Sequence, residues 1–232
     1  MPKLVRLELR KFDIRPYTRA AVIGTILIFI LVSGLSINVQ MRQSVPLLGY
    51  DSVFSVIETL VRAMYVVLAA VIISRLVIDE FRNKTITVMF TYPINRQMVM
   101  VAKLSVVIVF TLIGNIASCL LVAAAFATLN HVEGVIPGLL TWSVAERFFI
   151  VVLTNALATS FLSLIPLYFG MRKHSVATTI TSSVLVAALV CQNIGGVTLY
   201  SIIAVPISLA ILGAVIGYLS IRNIEHVDVL KS

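Results

Sequence analysis

An all-α, polytopic membrane protein is the fold class this sequence predicts, and three observations predict it. Of its 232 residues, 59% are hydrophobic and only 12% charged, whereas soluble domains carry roughly a quarter charged residues. Mean hydropathy is +1.05. Charge-poor stretches recur at about 20 residues, the length at which a helix rising about 1.5 Å per residue crosses a hydrocarbon core roughly 30 Å thick.

The elements follow in chain order as one domain, residues 1–232. Residues 1–19 place Val5, Leu9 and Phe12 on one helical stripe, with Lys3, Arg6, Arg10 and Asp13 roughly opposite. That spacing suits a short interfacial helix in the headgroup plane. The first span is Ala20 to Val39. It exceeds the apolar core of a signal peptide and no A-x-A site follows in SGLSINVQ, so it is expected to remain in the membrane. The second runs from about Ile57 to Ile78, the third from Leu104 to Thr128, the fourth from Phe148 to Phe169 and the fifth from Val176 to Asn193. A sixth, Tyr200 to Ile221, completes the set. Pro166 and Pro206 fall inside spans four and six, which neighbouring helices can accommodate. Gly213 and Gly217, four apart, permit a close helix approach.

Charge sets the orientation. With the N-terminus inside, 15 of the 18 lysines and arginines share its side, leaving Arg42, Arg62 and Arg147 opposite. Such an asymmetry predicts both termini cytoplasmic, an even number of spans and residence in the cell membrane. The pI near 9.8 then reflects topology and attraction to anionic lipid, not nucleic acid, because short loops build no binding groove.

Chemistry is sparse. The sequence holds no G-x-x-x-x-G-K-[ST], G-x-S-x-G or H-E-x-x-H pattern. His131, His174 and His226 fall in separate segments, and Cys119 and Cys191 sit within spans as apolar fillers, with no metal-ligand or disulfide pattern. The expectation is a protein that is not an enzyme and binds no cofactor itself. None of the ten carboxylates is expected near the membrane midplane. Glu58 and Arg62, one turn apart at the start of span two, are expected to form an ion pair at the outer mouth. Without ionisable groups deeper in the spans, a gradient-driven engine is disfavoured. Asn115 and Asn155 read as interhelical hydrogen-bonding residues.

One segment stands apart: DEFRNKTITVMFTYPINRQMVMVAKL, residues 79–104. Its TITVMFTY portion alternates as a strand would, but a lone strand at a membrane surface leaves its backbone unpaired. As a helix, Phe81, Thr85, Val88 or Met89, and Tyr92 form one stripe, with Arg82 and Lys84 off it. Pro93 biases Tyr92 out of helical geometry and Asn95 can cap the helix that follows. A short helix along the membrane, broken at both ends, is the result over residues 79–95.

This run resembles the signature between the second and third spans of type 2 ABC exporter permeases. Glu80, Phe81, Arg82 and Thr85 match its first half, and Tyr92, Pro93, Arg96 and Lys103 its second; Lys84 stands where glycine is usual. The resemblance implies that residues 79–95 form a coupling helix seated in a separate ABC ATPase subunit, which binds ATP and Mg. Phe81, Thr85, Met89 and Tyr92 would be the apolar contacts, Glu80 and Arg82 the polar rim, and Pro93 the break that orients helix three. Arg96 and Lys103 would meet lipid phosphate. It implies two ATPase copies, a second permease subunit as homodimer or heterodimer, and a substrate path between spans two and five of facing subunits. Small six-span members resemble permeases that remove bacitracin, lantibiotics or other amphipathic peptides, so export and peptide resistance are the implied role. The competing expectations are a gradient-driven carrier or channel, and a structural or sensory membrane subunit.

Overall fold

The computed structural model describes residues 13–37, 50–79, 96–133, 142–173, 175–191, 193–194, 197–198 and 204–222. Within them the chain is helical apart from one minimal hairpin. The helices are α1 (Arg15–Ile37), α2 (Tyr50–Ile73), α3 (Arg96–Glu133), α4 (Trp142–Leu162), α5 (Ile165–Lys173), α6 (Val176–Val190) and α7 (Ala204–Arg222), with a π-helical turn, Ser74–Ile78, extending α2. Four stretches, 15–37, 50–78, 97–132 and 142–173, are long and apolar enough to cross a membrane, and α6 and α7 are shorter apolar helices.

The helix ends differ from the sequence expectation in instructive ways. α1 is continuous from Arg15, so residues 15–19 are the first turns of the span and no separate interfacial helix includes them; residues 1–12 lie outside the described residues. The Asp13 carboxylate accepts from the Arg15 backbone N–H at 3.2 Å, satisfying a donor that the helix start leaves open. α2 begins at Tyr50, seven residues before the expected Ile57, with Asp51 in its first turn where the helix dipole favours an anion. Span four is two helices, α4 and α5, parted at Ser163 and Leu164. Pro166, lacking an N–H, falls in the first turn of α5, where none is needed. Pro206 likewise occupies the first turn of α7 and not its interior. α6 stops at Val190, short of Asn193, which instead pairs with Thr198 in an antiparallel hairpin, β1 (Asn193–Ile194) with β2 (Val197–Thr198).

α2 is the central post. Just over half of its most apolar window is buried, 56%, against 22% for α1. Towards its start, Val53, Phe54, Ile57, Val61 and Tyr65 pack with Val32, Phe126 and Val152 from α1, α3 and α4. Towards its end, Ile72, Leu76 and Ile78 pack with Met100, Leu104, Leu167, Met171 and Val176. On a third side, Val66 meets Leu162, Ala187 and Val190. These neighbours alternate the helices up and down. Arg15, Arg19, Arg75, Arg96, Arg172, Lys173 and Arg222 therefore gather at one end of the bundle. The outer faces of α1, α6 and α7 expose Ile23, Leu27, Leu185, Leu189, Ile211 and Val215, each about half or more exposed, as helices bounded by lipid or by another membrane chain would.

Candidate functional site

Two places concentrate polar groups that an apolar bundle would otherwise exclude. The first is the foot of the 80–95 segment. Here α2 departs from α-helical bonding, and the Asp79 backbone N–H donates five residues back to the Ser74 carbonyl. Such a wide turn shifts the carbonyls off the regular ladder, a feature frequent at functional points in helices. The Leu76 carbonyl accepts a 2.9 Å hydrogen bond from Lys103 Nζ. That contact joins the end of α2 to the start of α3, the two helices that flank residues 80–95 in sequence. At the surface, Arg75 Nη1 and Asp79 Oδ2 lie 3.4 Å apart, too exposed to contribute much.

Lys103 thus corrects the sequence expectation for it. It is 3% exposed and directed inward, because the extended α3 begins at Arg96 and puts Lys103 two turns inside the helix rather than at its mouth. A buried ammonium needs protein oxygen, and Leu76 supplies one. Its ammonium does not face lipid phosphate. Arg96 starts α3 at the basic end; Glu80, Phe81, Arg82, Thr85, Met89, Tyr92 and Pro93 lie outside the described residues. Lys103→Met keeps the packing length of the stem while deleting the donor, and a hydrogen bond to a charged group contributes about 1.5–3 kcal/mol. The expected outcome is a melting temperature lower by several degrees, read by size-exclusion chromatography after heating, with the protein still folded. An unchanged melting temperature would show that the Leu76 bond contributes nothing.

The second place is inside the bundle. Arg62 Nη2 donates to Glu58 Oε1 at 2.5 Å, the same oxygen accepts from Asn155 Nδ2, and Glu58 and Arg62 are 8% and 2% exposed. The pair forms as expected, but its location is not the outer mouth. With α2 starting at Tyr50, Arg62 lies twelve residues in and sixteen before Ile78, about 18 Å along the axis. That is near the middle of the helix. The expectation of no carboxylate deep in a span fails for the same reason: sequence reading ends a span at its first charges, whereas a paired carboxylate and guanidinium continue into the bundle.

Polar links extend around this centre. Asn155 makes the interhelical bond expected of it; Asn115 accepts instead from Cys119 Sγ, 3.7 Å away on its own helix. Ser118 Oγ is 2.9 Å from Tyr65 Oη and 2.8 Å from Thr25 Oγ1, tying α1, α2 and α3 together. Gly114 makes room for the Tyr65 ring that this requires. Cys119 and Cys191 are free thiols, Cys191 donating to the Thr59 carbonyl at 3.6 Å. No cluster of His, Cys, Asp or Glu able to hold a metal occurs among the described residues.

The comparisons with known proteins bear on the whole chain. A family model described as an ABC-2 family transporter protein matches residues 4–189. A protein of Bacillus subtilis (strain 168), named "Uncharacterized protein YcbO", is 38% identical over 225 residues, covering 97% of this chain and 99% of its own length. No solved structure matches.

Proposed function

This chain belongs to the ABC-2 family of transporter proteins, and from that membership we propose that it is the permease half of an ATP-driven exporter of amphipathic peptides, antibiotics or other hydrophobic toxins. As a member of the family it is an integral-membrane transport component that works with an ABC ATPase. The finer reading adds four parts: two ATPase copies carrying ATP and Mg, a second permease subunit, both termini in the cytoplasm, and residues 79–95 as the coupling element.

The observation that supports it is the Lys103–Leu76 hydrogen bond between the two helices that flank the proposed coupling segment in sequence. A lever transmits motion only if its foot is stiff. A partner that rotates residues 80–95 would move the ends of α2 and α3 together, because they are bonded to each other. α2 is the post against which the other spans pack, so a shift at its foot reaches the whole bundle, as in shear and rocking transitions. In this reading Phe81, Thr85, Met89 and Tyr92 seat in the ATPase, Glu80 and Arg82 rim that contact, Pro93 ends the helix, and Arg96 faces lipid phosphate.

The test co-expresses this chain with an ABC ATPase from the same organism. Co-purification from membranes is expected for the native chain, with ATP hydrolysis by the complex and none by the permease alone. Phe81→Asp should cut recovery of the ATPase at least about tenfold, since it desolvates a charge in an apolar contact. Undiminished recovery removes the coupling assignment, and hydrolysis by the permease alone removes the division of labour. Export of amphipathic peptides predicts that a deletion strain becomes sensitive to a panel of membrane-active peptides.

A further inference from the structure

We propose that the groove between α2, α4 and α7 is a binding site for a monocationic amphiphile, an ammonium group on an aliphatic or aromatic body, with Glu58 as its acceptor.

The groove encloses about 640 Å³, within the roughly 300–1,000 Å³ that small-molecule sites span. Its walls are apolar, with Phe54, Phe148, Phe161, Ile207 and Ala210 among them. Its polar groups are few and placed at different levels. Asp51 and Arg147 line it towards the start of α2 and α4, and Glu58 lines it deeper, two turns farther along α2. A greasy wall with a small number of placed polar groups is the usual composition of a ligand site.

Glu58 selects the charge. Both hydrogen bonds to its carboxylate, from Arg62 and from Asn155, end on Oε1, and Oε2 accepts none among the described residues. The residue is mostly buried, yet Oε2 is not among the polar atoms sealed from the surroundings, so it is open to a donor that enters the groove. Glu58 borders the groove, whereas Arg62, its ion-pair partner, does not. At the level of Glu58 a ligand therefore meets its carboxylate and not the Arg62 guanidinium, while Asp51 and Arg147, of opposite charge, both line the groove nearer the start of α2 and α4. A donor that also carries positive charge satisfies Oε2 and gains a charge-assisted bond in a dry setting. An anionic or hydroxyl-only amphiphile gains less or nothing. The ammonium can come from a resident aminophospholipid or from an exogenous compound; the chemistry at Oε2 is the same. As an uptake point for cargo the site rests on the export reading above, but as a binding site it does not.

The test measures displacement of a fluorescent dodecylammonium probe from the full chain in nanodiscs of phosphatidylcholine, without any ATPase. Dodecylammonium is expected to displace it at least about tenfold more effectively than dodecanol or dodecyl sulfate. Ala210→Phe fills the groove away from the ion pair and should lower probe affinity at least about tenfold. Glu58→Gln in combination with Arg62→Gln, which leaves no lone buried charge, should erase the preference for ammonium over alcohol. Competition on adding phosphatidylethanolamine to the disc would identify a lipid headgroup as the natural source, and its absence an exogenous amphiphile; either agrees with the site. Equal displacement by all three dodecyl compounds, or probe affinity unchanged by Ala210→Phe, overturns it. Lost binding would leave ATPase coupling untouched, and lost ATP-driven export with intact binding would retire only the export reading.

Discussion

Glu58→Ala with Arg62 left in place is expected to lower stability by about 3–5 kcal/mol, the cost of removing one partner of a buried ion pair. For a chain of this size that corresponds to a fall in melting temperature of roughly 6–20 °C. The reason lies in depth, not in the strength of one ion pair. Arg62 is 2% exposed, and at its level on α2 the surroundings are Val61, Val66, Tyr65 and neighbouring helices, not water. A carboxylate is bonded to its guanidinium at 2.5 Å, and removing one partner of such a buried pair is costly. Removing the pair together should be far milder: Glu58→Leu with Arg62→Leu is expected to melt within a few degrees of the native protein, since an apolar replacement of a buried pair is often neutral or stabilising. Asn155→Leu, which deletes one donor to the Glu58 carboxylate, should cost about 1.5–3 kcal/mol, the range for a hydrogen bond to a charged group. Heating detergent-solubilised protein and following the monodisperse peak by size-exclusion chromatography reads all three. If the single and the double variant melt alike, the charge balance at this depth has no structural weight.

How far the sequence reaches can be judged on particular residues. The apolar runs are legible because burial in lipid demands them: four of the predicted spans fall on stretches long and apolar enough to cross a membrane, and the fifth and sixth on the shorter apolar helices α6 and α7. The gathering of Arg15, Arg75, Arg96 and Arg172 at one end follows from the same alternation. Ends are less legible. Asp13 and Asp51 each stand at a helix start, yet neither reads so in the sequence: Asp13 falls on the polar stripe of residues 1–19, and Glu58 and Arg62 look like the limit of the membrane span. A one-dimensional reading cannot see that the two charges cancel each other and that Asn155, 97 positions away, completes the shell. Lys103 misled for a related reason: its acceptor is a backbone carbonyl, Leu76, freed by an irregular turn that no side-chain pattern announces. The Gly213 and Gly217 spacing was visible, but which helix it would meet was not.

The final expectation concerns that spacing: Gly213→Leu should prevent α7 from docking, with folded yield falling severely, while two other glycine-to-leucine changes rank below it in a fixed order. A side chain at Gly213 would run into the Phe161 carbonyl and the Leu162 amide. Those are backbone atoms next to the break between α4 and α5. They cannot rotate away, and Leu164 N–H already donates to that same Phe161 oxygen at 3.0 Å, so pushing it disturbs the turn as well. Overpacking of this kind costs about 1–3 kcal/mol and more when nothing yields. At Gly217 a new Cβ would sit 3.0 Å from Leu164 Cδ1, the far end of a side chain that can change rotamer, so the penalty should be smaller. At Gly34 on α1 nothing lies within 4 Å, and leucine there should be neutral. The ranking, read as monodisperse yield and melting temperature, is Gly213→Leu worst, then Gly217→Leu, then Gly34→Leu indistinguishable from native. Because α7 also supplies Ile207 and Ala210 to the amphiphile groove, milder Gly213→Ala protein that still folds should bind the dodecylammonium probe more weakly, whereas Gly34→Leu should not. Equal tolerance at Gly213 and Gly34 would mean that α7 does not rest on the α4–α5 break at all.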